Sequence, residues 1–336
     1  MSHPYTIAVV GAGDMGGNHV RGWEALGHRV LSVTDVDPER ARQLAAQYGI
    51  EQVYTDLDTA ISHESVDIVS ICLPLNLHTS TTVKAARQGK HVFCEKPLAP
   101  SLADAEAMER AVTEAGVSFG LGMQRNQAGG VNLLRGWAAD GRFGRPMVFN
   151  SDLLQEVRPK IAMHDRNGNN GPLTDAGCHY YLLWQTVFRS RPAMVYAQGR
   201  ILATGRSEVA VHRQLAIDTA VVTMAFESGD VATLTVSWGL AQGFGMRGRP
   251  DRVFGPAGGA EGNVQSELTV HTGADTETVK IEKQDLHAAE FDDFVQSIRN
   301  GYRPAAGFTE GRELIMITKA IEESIATGQP VRIRHD

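Results

Sequence analysis

Lys96 is the residue of this chain best placed to do proton chemistry. It stands in Glu95-Lys96-Pro97, directly after the apolar run 91–94, which predicts a buried strand. In open α/β sheets, ligands bind at the carboxyl ends of parallel strands, and a lysine amine at that edge can relay protons to a substrate oxygen. The alternative is a solvated loop lysine, which the buried strand before it disfavours.

Asp175 and His179 form a second pair of proton-handling residues. They lie four positions apart in a segment that continues to Trp184, so we predict that they share one helix face. A carboxylate near an imidazole orients the ring and stabilises its charged form, which suits a base acting on a hydroxyl. The alternative, that Asp175 caps the helix and His179 bonds within the domain interior, is less favoured beside Lys96 and a glycine loop.

That glycine loop lies near the N-terminus, between a predicted strand at residues 6–10 and a predicted helix. This context is the one that a G-x-G-x-x-G dinucleotide fingerprint requires. The first glycine permits the tight turn, the second lets a pyrophosphate approach, and the third lets the helix pack on the sheet. The helix N-terminus then offers N–H groups to the phosphates. The residues predicted to hold the dinucleotide here are Gly11, Gly13, Asp14, Met15 and Gly16.

Asp35 ends the next predicted strand and follows Gly16 at close to the spacing of about 20 residues expected of a ribose-binding acid. A carboxylate there accepts hydrogen bonds from the ribose of NAD and repels the 2′-phosphate of NADP. We therefore predict NAD, with NADP less favoured. The alternative is that Asp35 only caps the helix beginning near Pro38, and Arg40 is a basic residue that could accommodate a 2′-phosphate.

Strands and helices continue to alternate up to residue 125, which predicts a doubly wound parallel sheet in an α/β protein. We place two further loops at the edge that carries the glycine turn. One follows the predicted strand at 66–73, and the other follows the predicted strand at 117–122. The residues of these loops predicted to contact cofactor or substrate are Pro74, Asn76, His78, Arg125 and Asn126.

The second half of the chain changes character. Its β-rich runs lie at 147–154, 194–200, 219–226, 231–236 and 267–272, and turns such as 227–230 suggest antiparallel neighbours. One Rossmann sheet cannot hold so many strands, so we predict a second sheet. We divide the chain into a dinucleotide-binding Rossmann domain at 1–125 and a substrate-binding and oligomerisation α/β domain at 126–336.

Composition excludes several classes of protein. The 336 residues are 42% hydrophobic with a net charge of −7, and no cluster of Lys or Arg resembles a nucleic-acid surface. The three cysteines, Cys72, Cys94 and Cys178, form neither a disulfide framework nor a zinc motif, so we expect no metal and a reducing cytoplasm. No segment reads as a signal peptide or a membrane span.

Together these motifs resemble the glucose–fructose oxidoreductase / inositol dehydrogenase / rhizopine-catabolism (Gfo/Idh/MocA) family. The resemblance rests on the 11–16 loop, Glu95-Lys96-Pro97 after the fifth strand, and the 175–179 segment, with Asp35 between, and it covers essentially the whole chain. It implies a C-terminal α/β domain with a large open, mainly antiparallel sheet, and homo-oligomers. It also implies that Glu95 helps hold the lysine and nicotinamide region, and that the Lys96–Pro97 bond is cis.

The predicted activity is NAD-dependent hydride transfer from a secondary hydroxyl of a cyclitol, sugar or glycoside, or the reverse. Lys96, Arg125, Asn126, His164, Asp175 and His179 are the predicted substrate contacts, and either Lys96 or His179 is the immediate base. The polar loop at 163–170 could equally be a flexible turn. The segment at 242–249 is either a mobile lid or a contact with a neighbouring subunit. Two alternatives are an NAD-recycling glycosidase or epimerase and a non-catalytic nucleotide sensor.

Overall fold

The structure is a computed structural model that describes residues 3–157 and 161–335. The strands are β1 Thr6–Val10, β2 Arg29–Thr34, β3 Gln52–Tyr54, β4 Ile68–Ile71, β5 His91–Glu95, β6 Phe119–Gly122, β7 Val148–Glu156, β8 Pro192–Arg200, β9 Thr219–Phe226, β10 Val231–Leu240, β11 Asp251–Gly255, β12 Gly258–Asn263, β13 Glu267–Thr272, β14 Asp275–Lys280 and β15 Val331–Arg332. The helices are α1 Asp14–Ala25, α2 Pro38–Tyr48, α3 Leu57–Ser62, α4 His78–Arg87, α5 Leu102–Ala115, α6 Gly129–Ala139, α7 Ile161–His164, α8 Gly171–Asp175, α9 Gly177–Phe188, α10 Leu286–Asn300 and α11 Phe308–Thr327.

The chain forms two compact units. The first contains Met1–Gln124 and Asp285–Arg312, and the second contains Arg125–Gln284 and Glu313–Asp336. Helix α10 therefore belongs to the first unit, although it lies far beyond residue 125 in the chain. Each unit thus contains two separate stretches of the chain, which one boundary at residue 125 does not describe.

The first unit is built on a six-stranded parallel sheet in the order β3-β2-β1-β4-β5-β6. The strand order reverses between β1 and β4, and ligands bind at such a reversal in doubly wound sheets. The predicted bounds of β1 are confirmed, whereas the strand predicted at 66–73 is shorter, at Ile68–Ile71. The Cys72 N–H still donates to the Val10 carbonyl at 2.8 Å, and a 3₁₀ turn follows from Leu75.

Helix α10 completes an aromatic core on one face of this sheet. The ring of Phe291 stacks on Trp23, with centroids 4.1 Å apart and planes 6° apart, and meets Phe93 edge-on at 4.8 Å. Phe294 also packs on Phe93, at 5.4 Å. Glycines make room for these rings, because a Cβ at Gly120 would lie 2.7 Å from Phe294.

The second unit is built on a nine-stranded mixed sheet in the order β14-β13-β12-β11-β7-β10-β9-β8-β15. Strands β7 and β10 pair parallel, and the other neighbours pair antiparallel, so the predicted mainly antiparallel sheet is confirmed. The turn at 227–230 joins β9 to β10 as predicted, and β9 and β13 have their predicted bounds.

Burial alternates along the strands of this second sheet. On β8, Val195 and Ala197 are wholly buried, whereas Met194 and Tyr196 are exposed. This period of two is that of a sheet with one covered face and one open face. Among the helices of residues 3–157 and 161–335, none combines the length and apolar character that a membrane crossing needs.

We predict that Phe291→Ala destabilises the protein by about 3–5 kcal/mol, because it removes a fully buried ring and leaves a cavity among Trp23 and Phe93. Denaturant unfolding followed by tryptophan fluorescence measures the change. Asp292→Ala, at the neighbouring exposed position of α10, is the control and should change stability little. Equal stability of the two variants would show that α10 does not complete the first core.

Candidate functional site

The glycine loop lies at the carboxyl ends of β1 and β4. Gly11 has a φ of +100°, and a Cβ there would lie 2.4 Å from the carbonyl oxygen of Cys72. A Cβ at Gly16 would lie 2.0 Å from the carbonyl oxygen of Gly11. Both positions therefore require glycine, the first for its backbone angle and its contact with β4, the second for the packing of α1 on the loop.

The N-terminus of α1 is open to a ligand. Its N-cap residue is the exposed Gly13, which offers no side chain to the first-turn N–H groups. Within the described residues, and apart from Gly13 and its two chain neighbours, no atom is found within 4 Å of the place where a Cβ of Gly13 would be. This geometry fits a pyrophosphate, since an anion at a helix N-terminus accepts the free N–H groups and meets the positive end of the dipole. Asp14 and Met15 are the first two residues of the helix.

Asp35 follows β2 directly, and its carboxylate is tied to the glycine loop. Oδ2 accepts the Ala12 N–H at 2.8 Å, and Oδ1 accepts the Asp37 N–H at 2.9 Å. Helix α2 is capped by Asp37, which accepts from the N–H groups of Glu39 and Arg40, so the cap alternative for Asp35 is wrong. The guanidinium of Arg40 lies 3.9 Å from Asp35, where it offsets part of the carboxylate's charge.

The loop after β4 separates into exposed and buried residues. Pro74 and Asn76 are exposed in the 3₁₀ turn, where a cofactor could reach them. His78 is only 1% exposed, and its Nδ1 and Nε2 lie 2.8 Å from the carbonyl oxygens of Pro97 and Leu73. Both ring nitrogens of His78 face backbone oxygens, so the ring supports the turn that follows β5. Neither nitrogen is therefore left to make the predicted contact with the cofactor.

Lys96 lies immediately after β5, at the same edge of the sheet as the glycine loop, and is half-buried. The Lys96–Pro97 peptide bond is cis, as the family resemblance implies. The Lys96 N–H donates to Oε2 of Glu95 at 3.1 Å. The carboxylate of Glu95 thus holds the backbone of the lysine that follows it.

The carboxylate of Glu95 is also bound by a chain of buried residues that the sequence analysis does not identify. Its Oε1 lies 3.0 Å from Nε2 of His19, on α1, and Nδ1 of His19 lies 2.8 Å from Oγ of Ser70, on β4. Trp23 donates its indole N–H to that same Ser70 oxygen at 2.9 Å. The position of His19 on α1, one turn after Gly16, could have marked it as a candidate in the sequence. Its partner Glu95 could not be inferred in this way, because it lies 76 residues away.

Helix α10 adds a second buried carboxyl group to this region. His287 Nδ1 lies 3.0 Å from Oε1 of Glu290, and both residues are buried. Burial and the nearby charge of Glu95 raise the pKa of Glu290 well above its ordinary value. Burial also lowers the pKa of His287. Both shifts favour the uncharged forms of these two side chains.

Three of these residues have side chains of the kinds that bind metal ions, and they lie close together. Atoms of His19, Glu95 and His287 lie within 4.8 Å of each other, although the sequence predicts no metal. The 3.0 Å contact between His19 and Glu95 has the length of an ordinary N–H···O hydrogen bond. We therefore assign the cluster as a hydrogen-bonded network.

In the second unit, Asp175 and His179 lie on successive helices, so the prediction that one helix carries both is wrong. Asp175 is the last residue of α8, and α9 begins at Gly177. The Tyr181 hydroxyl donates to the Leu173 carbonyl at 3.1 Å, beside the break, and a Cβ on Gly177 would lie 2.4 Å from that hydroxyl oxygen. The tyrosine thus occupies the end of α8 where a continuous helix would run.

Asp175 is buried, and His179 is half-buried. The polar loop before them is ordered around Asp175. Nδ2 of Asn169 lies 3.5 Å from Oδ2 of Asp175, and Asn170, with a φ of +58°, contacts Glu322 through its side-chain amide at 2.5 Å. These anchors oppose the interpretation of 163–170 as a freely flexible turn.

His164 ends α7 and is buried, with its ring 6.1 Å from that of Trp238. Asn126 accepts a hydrogen bond from the hydroxyl of Thr186 at 3.1 Å. Both residues belong to the second unit, as Asp175 and His179 do.

Arg125 is engaged within the second unit. Its Nη2 lies 2.6 Å from Oδ2 of Asp251, and its guanidinium carbon lies 4.2 Å from the centre of the Tyr180 ring. Burial raises the pKa of the Tyr180 hydroxyl, although the Arg125 charge opposes the rise. The Arg125 charge is thus balanced by Asp251, so its predicted contact with cofactor or substrate would be made by a guanidinium already paired. Sequence reasoning missed Asp251, which lies 126 residues away in the chain.

Family models match both halves of the chain. The model described as "Oxidoreductase family, NAD-binding Rossmann fold" matches residues 5–123, and the model of the GFO/IDH/MocA C-terminal domain matches residues 131–261. The chain therefore belongs to the GFO/IDH/MocA family of oxidoreductases, and its first unit is an NAD-binding Rossmann domain.

Similar proteins cover nearly the whole chain. It is 25% identical to the myo-inositol 2-dehydrogenase of Thermotoga maritima, over 97% of this chain and 98% of that protein. It is also 25% identical to the scyllo-inositol 2-dehydrogenase (NAD(+)) of Bacillus subtilis, over 99% and 97%. A solved structure of levoglucosan dehydrogenase in complex with NADH shares the fold, with a TM-score of 0.87, 20% identity and coverage of 99% and 100%.

We predict that Asp35→Ser reduces the preference for NAD over NADP by about tenfold, equivalent to about 1.4 kcal/mol, because it removes the charge that repels a 2′-phosphate. Titration of both reduced cofactors, followed by fluorescence, gives the ratio of dissociation constants. Asp37→Ser is the matched control, since serine also caps helices and Asp37 lies equally far from Arg40, at 3.9 Å. Equal selectivity in the two variants would show that Asp35 does not read the ribose.

Proposed function

We propose that the protein is an NAD-dependent dehydrogenase that transfers hydride between the nicotinamide and a secondary hydroxyl of a cyclitol, sugar or glycoside. The observation that carries this proposal is the position of Lys96. It follows β5 at the edge of the NAD-binding sheet, with its backbone bound by the buried carboxylate of Glu95. An amine held at that edge can meet the oxygen of the carbon that gives or receives hydride.

In the proposed reaction, NAD supplies the hydride acceptor when it is bound. Lys96 donates a hydrogen bond to the substrate oxygen as negative charge develops on it, or relays its proton. His179, oriented by Asp175, is the second proton-handling group, and either His179 or Lys96 is the immediate base. Asp175 is buried beside Asn169, which suits a carboxylate that orients a neighbouring ring.

The first unit provides the proposed cofactor contacts. Gly11, Gly13, Asp14, Met15 and Gly16 hold the pyrophosphate at the N-terminus of α1, and Asp35 binds the ribose. Further proposed cofactor contacts are Pro74, Asn76, Glu95 and Lys96. His78 is proposed to support Pro97 rather than to contact the cofactor, since its ring nitrogens face backbone oxygens.

The second unit provides the polar groups proposed to select the substrate. Asn126, His164, Asp175 and His179 join Lys96 in this set, and Asn169 extends it. The buried Oδ1 of Asn169 has no hydrogen-bond partner within the described residues, which suits an acceptor for a substrate hydroxyl. A polyhydroxylated ring offers several such donors, and the inositol dehydrogenases among the similar proteins act on molecules of this kind by name.

We predict that Lys96→Ala lowers kcat for polyol oxidation by about 10²- to 10⁴-fold, because general acid–base catalysis contributes about that much. The NADH dissociation constant should change little. A panel of cyclitols, pyranoses and glycosides with NAD, followed by absorbance of the reduced cofactor, measures the activity.

The control for this variant is Lys84→Ala, which removes an exposed lysine of α4 that pairs with Asp58. It should retain wild-type turnover. Wild-type turnover in Lys96→Ala would overturn the role of the lysine. NADH binding by the wild-type protein without net NADH from any substrate would overturn simple dehydrogenation and favour hydride recycling or nucleotide sensing.

We also propose that the open face of the nine-stranded sheet binds a second copy of the chain. Met194, Tyr196 and Val221 are 42%, 41% and 53% exposed on the adjacent strands β8 and β9. Apolar side chains exposed on one face of neighbouring strands are typical of a protein-binding surface.

Sedimentation of the wild-type protein should therefore give a dimer or tetramer, and Val221→Glu should shift it to monomers. Val36→Glu changes a more exposed valine, at 87%, on the first unit and should leave the assembly intact. A wild-type protein that sediments as a monomer at micromolar concentration would contradict this proposal.

A further inference from the structure

We propose that His19 is a positioning residue for Lys96: its Nε2–H holds the Glu95 carboxylate in place, so that the single negative charge of this buried region stays beside the lysine. The inference rests on the proposed function of Lys96. It assigns to α1, the helix that begins at the pyrophosphate site, a second task in the chemistry at the end of β5.

The hydrogen bonds of the network have one consistent direction. The indole N–H of Trp23 can only donate, so Ser70 Oγ accepts from it at 2.9 Å. The Ser70 hydroxyl hydrogen is then available for Nδ1 of His19 at 2.8 Å. This leaves a ring proton of His19 on Nε2, where it donates to Glu95 Oε1 at 3.0 Å. Glu95 Oε2 accepts from the Lys96 N–H at 3.1 Å.

The surroundings make each of these bonds consequential. His19 is wholly buried, and its ring lies 4.9 Å from that of Phe291 and 5.8 Å from that of Phe93. A Cβ at Gly122 would lie 3.0 Å from Glu95 Oε1, so the glycine of β6 leaves room for the carboxylate. In a region of low dielectric, a carboxylate that loses one donor is strongly destabilised in its charged form.

Glu95 and Glu290 are two buried carboxyl groups whose pKa values are shifted in opposite directions. Burial raises the pKa of Glu95, but the His19 hydrogen bond and the charge of Lys96 contribute to lowering it below its ordinary value. The pKa of Glu290 is raised well above its ordinary value by burial and by Glu95. The titratable or charged groups facing the pair from the packed elements are His19, Lys96, His287, Asp285, Cys72 and Cys94.

Without the His19 donor, the proton of Glu290 can move to Glu95, and the charge then leaves the carboxylate that adjoins Lys96. The Lys96 ammonium is coupled to the charge of Glu95 and loses that stabilisation when Glu95 is neutralised, so the pKa of the Lys96 amine falls. His19 thus selects which of the two carboxyl groups is ionised.

The test uses His19→Leu, which removes the donor, and His19→Gln, whose amide N–H can replace it. Lysine labelled with ¹³C at Cε, with the Lys96 signal assigned by its loss in Lys96→Arg, reports the pKa of the amine by NMR titration. We expect that pKa to fall by about one unit in His19→Leu. It should remain near the wild-type value in His19→Gln. The pH profile of kcat should shift in the same direction.

A double variant separates positioning from general damage to the fold. Glu290→Gln mimics a protonated Glu290, so alone it should leave the Lys96 titration and turnover unchanged. In the double variant with His19→Leu, residue 290 cannot carry a negative charge, so the charge stays on Glu95. The pKa of Lys96 should then return toward the wild-type value. A variant that had merely loosened the core would not be rescued by Glu290→Gln.

Three results would overturn the inference. One is a wild-type Lys96 titration in His19→Leu, and another is an equal shift in His19→Leu with and without Glu290→Gln. The third is a stoichiometric metal ion in the purified protein that is lost in His19→Leu, which would make the cluster a metal site. The NMR titration needs no substrate, so failure to find an oxidised polyol would count against the proposed function and leave this test intact.

Discussion

The buried carboxylate of Glu95 is the constraint around which the first unit is arranged. A charge at 4% exposure requires hydrogen bonds on both of its oxygens, and these come from His19 on α1 and from the backbone of Lys96. Gly122 on β6 leaves room for it. The strand that carries Glu95 also places Lys96 at the sheet edge. The contacts that stabilise the buried carboxylate therefore also position the residue that bears the candidate catalytic amine.

The glycine loop shows the same coupling between backbone and chemistry. Gly11 and Gly16 are required by contacts within the protein, whereas Gly13 leaves open space at the N-terminus of α1. The structure thus separates the packing glycines from the one that leaves room for a ligand. Asp35 ties the end of β2 to this loop by accepting the Ala12 N–H, so a hydrogen bond links the proposed ribose and phosphate contacts.

Local patterns in the sequence predicted much of this structure. Strand–helix alternation depends on neighbours a few positions away, and β1, β9 and β13 have the bounds that such local patterns predict. The parallel sheet, the mixed second sheet and the NAD-binding class follow from such patterns and from the family resemblance.

The errors and omissions concern contacts between residues that are distant in the chain. His19 meets Glu95 across 76 positions, and Arg125 meets Asp251 across 126. Helix α10 returns to the first unit after eight of the nine strands of the second sheet, β7 to β14. The break between α8 and α9 has a local cause, the Tyr181 hydroxyl at Leu173, but the spacing of Asp175 and His179 alone is equally compatible with one helix. Pair contacts of this kind leave no periodic signal in a single sequence.

The most direct test of a dehydrogenase site centred on Lys96 is a single-turnover experiment with excess enzyme, NAD and a cyclitol deuterated at its carbinol carbons. Mass spectrometry and NMR of the recovered cofactor measure the deuterium at C4 of the nicotinamide. Deuterium should appear in the reduced cofactor with the wild-type protein and be nearly absent with Lys96→Ala. Transfer at the same rate in both proteins would contradict the account.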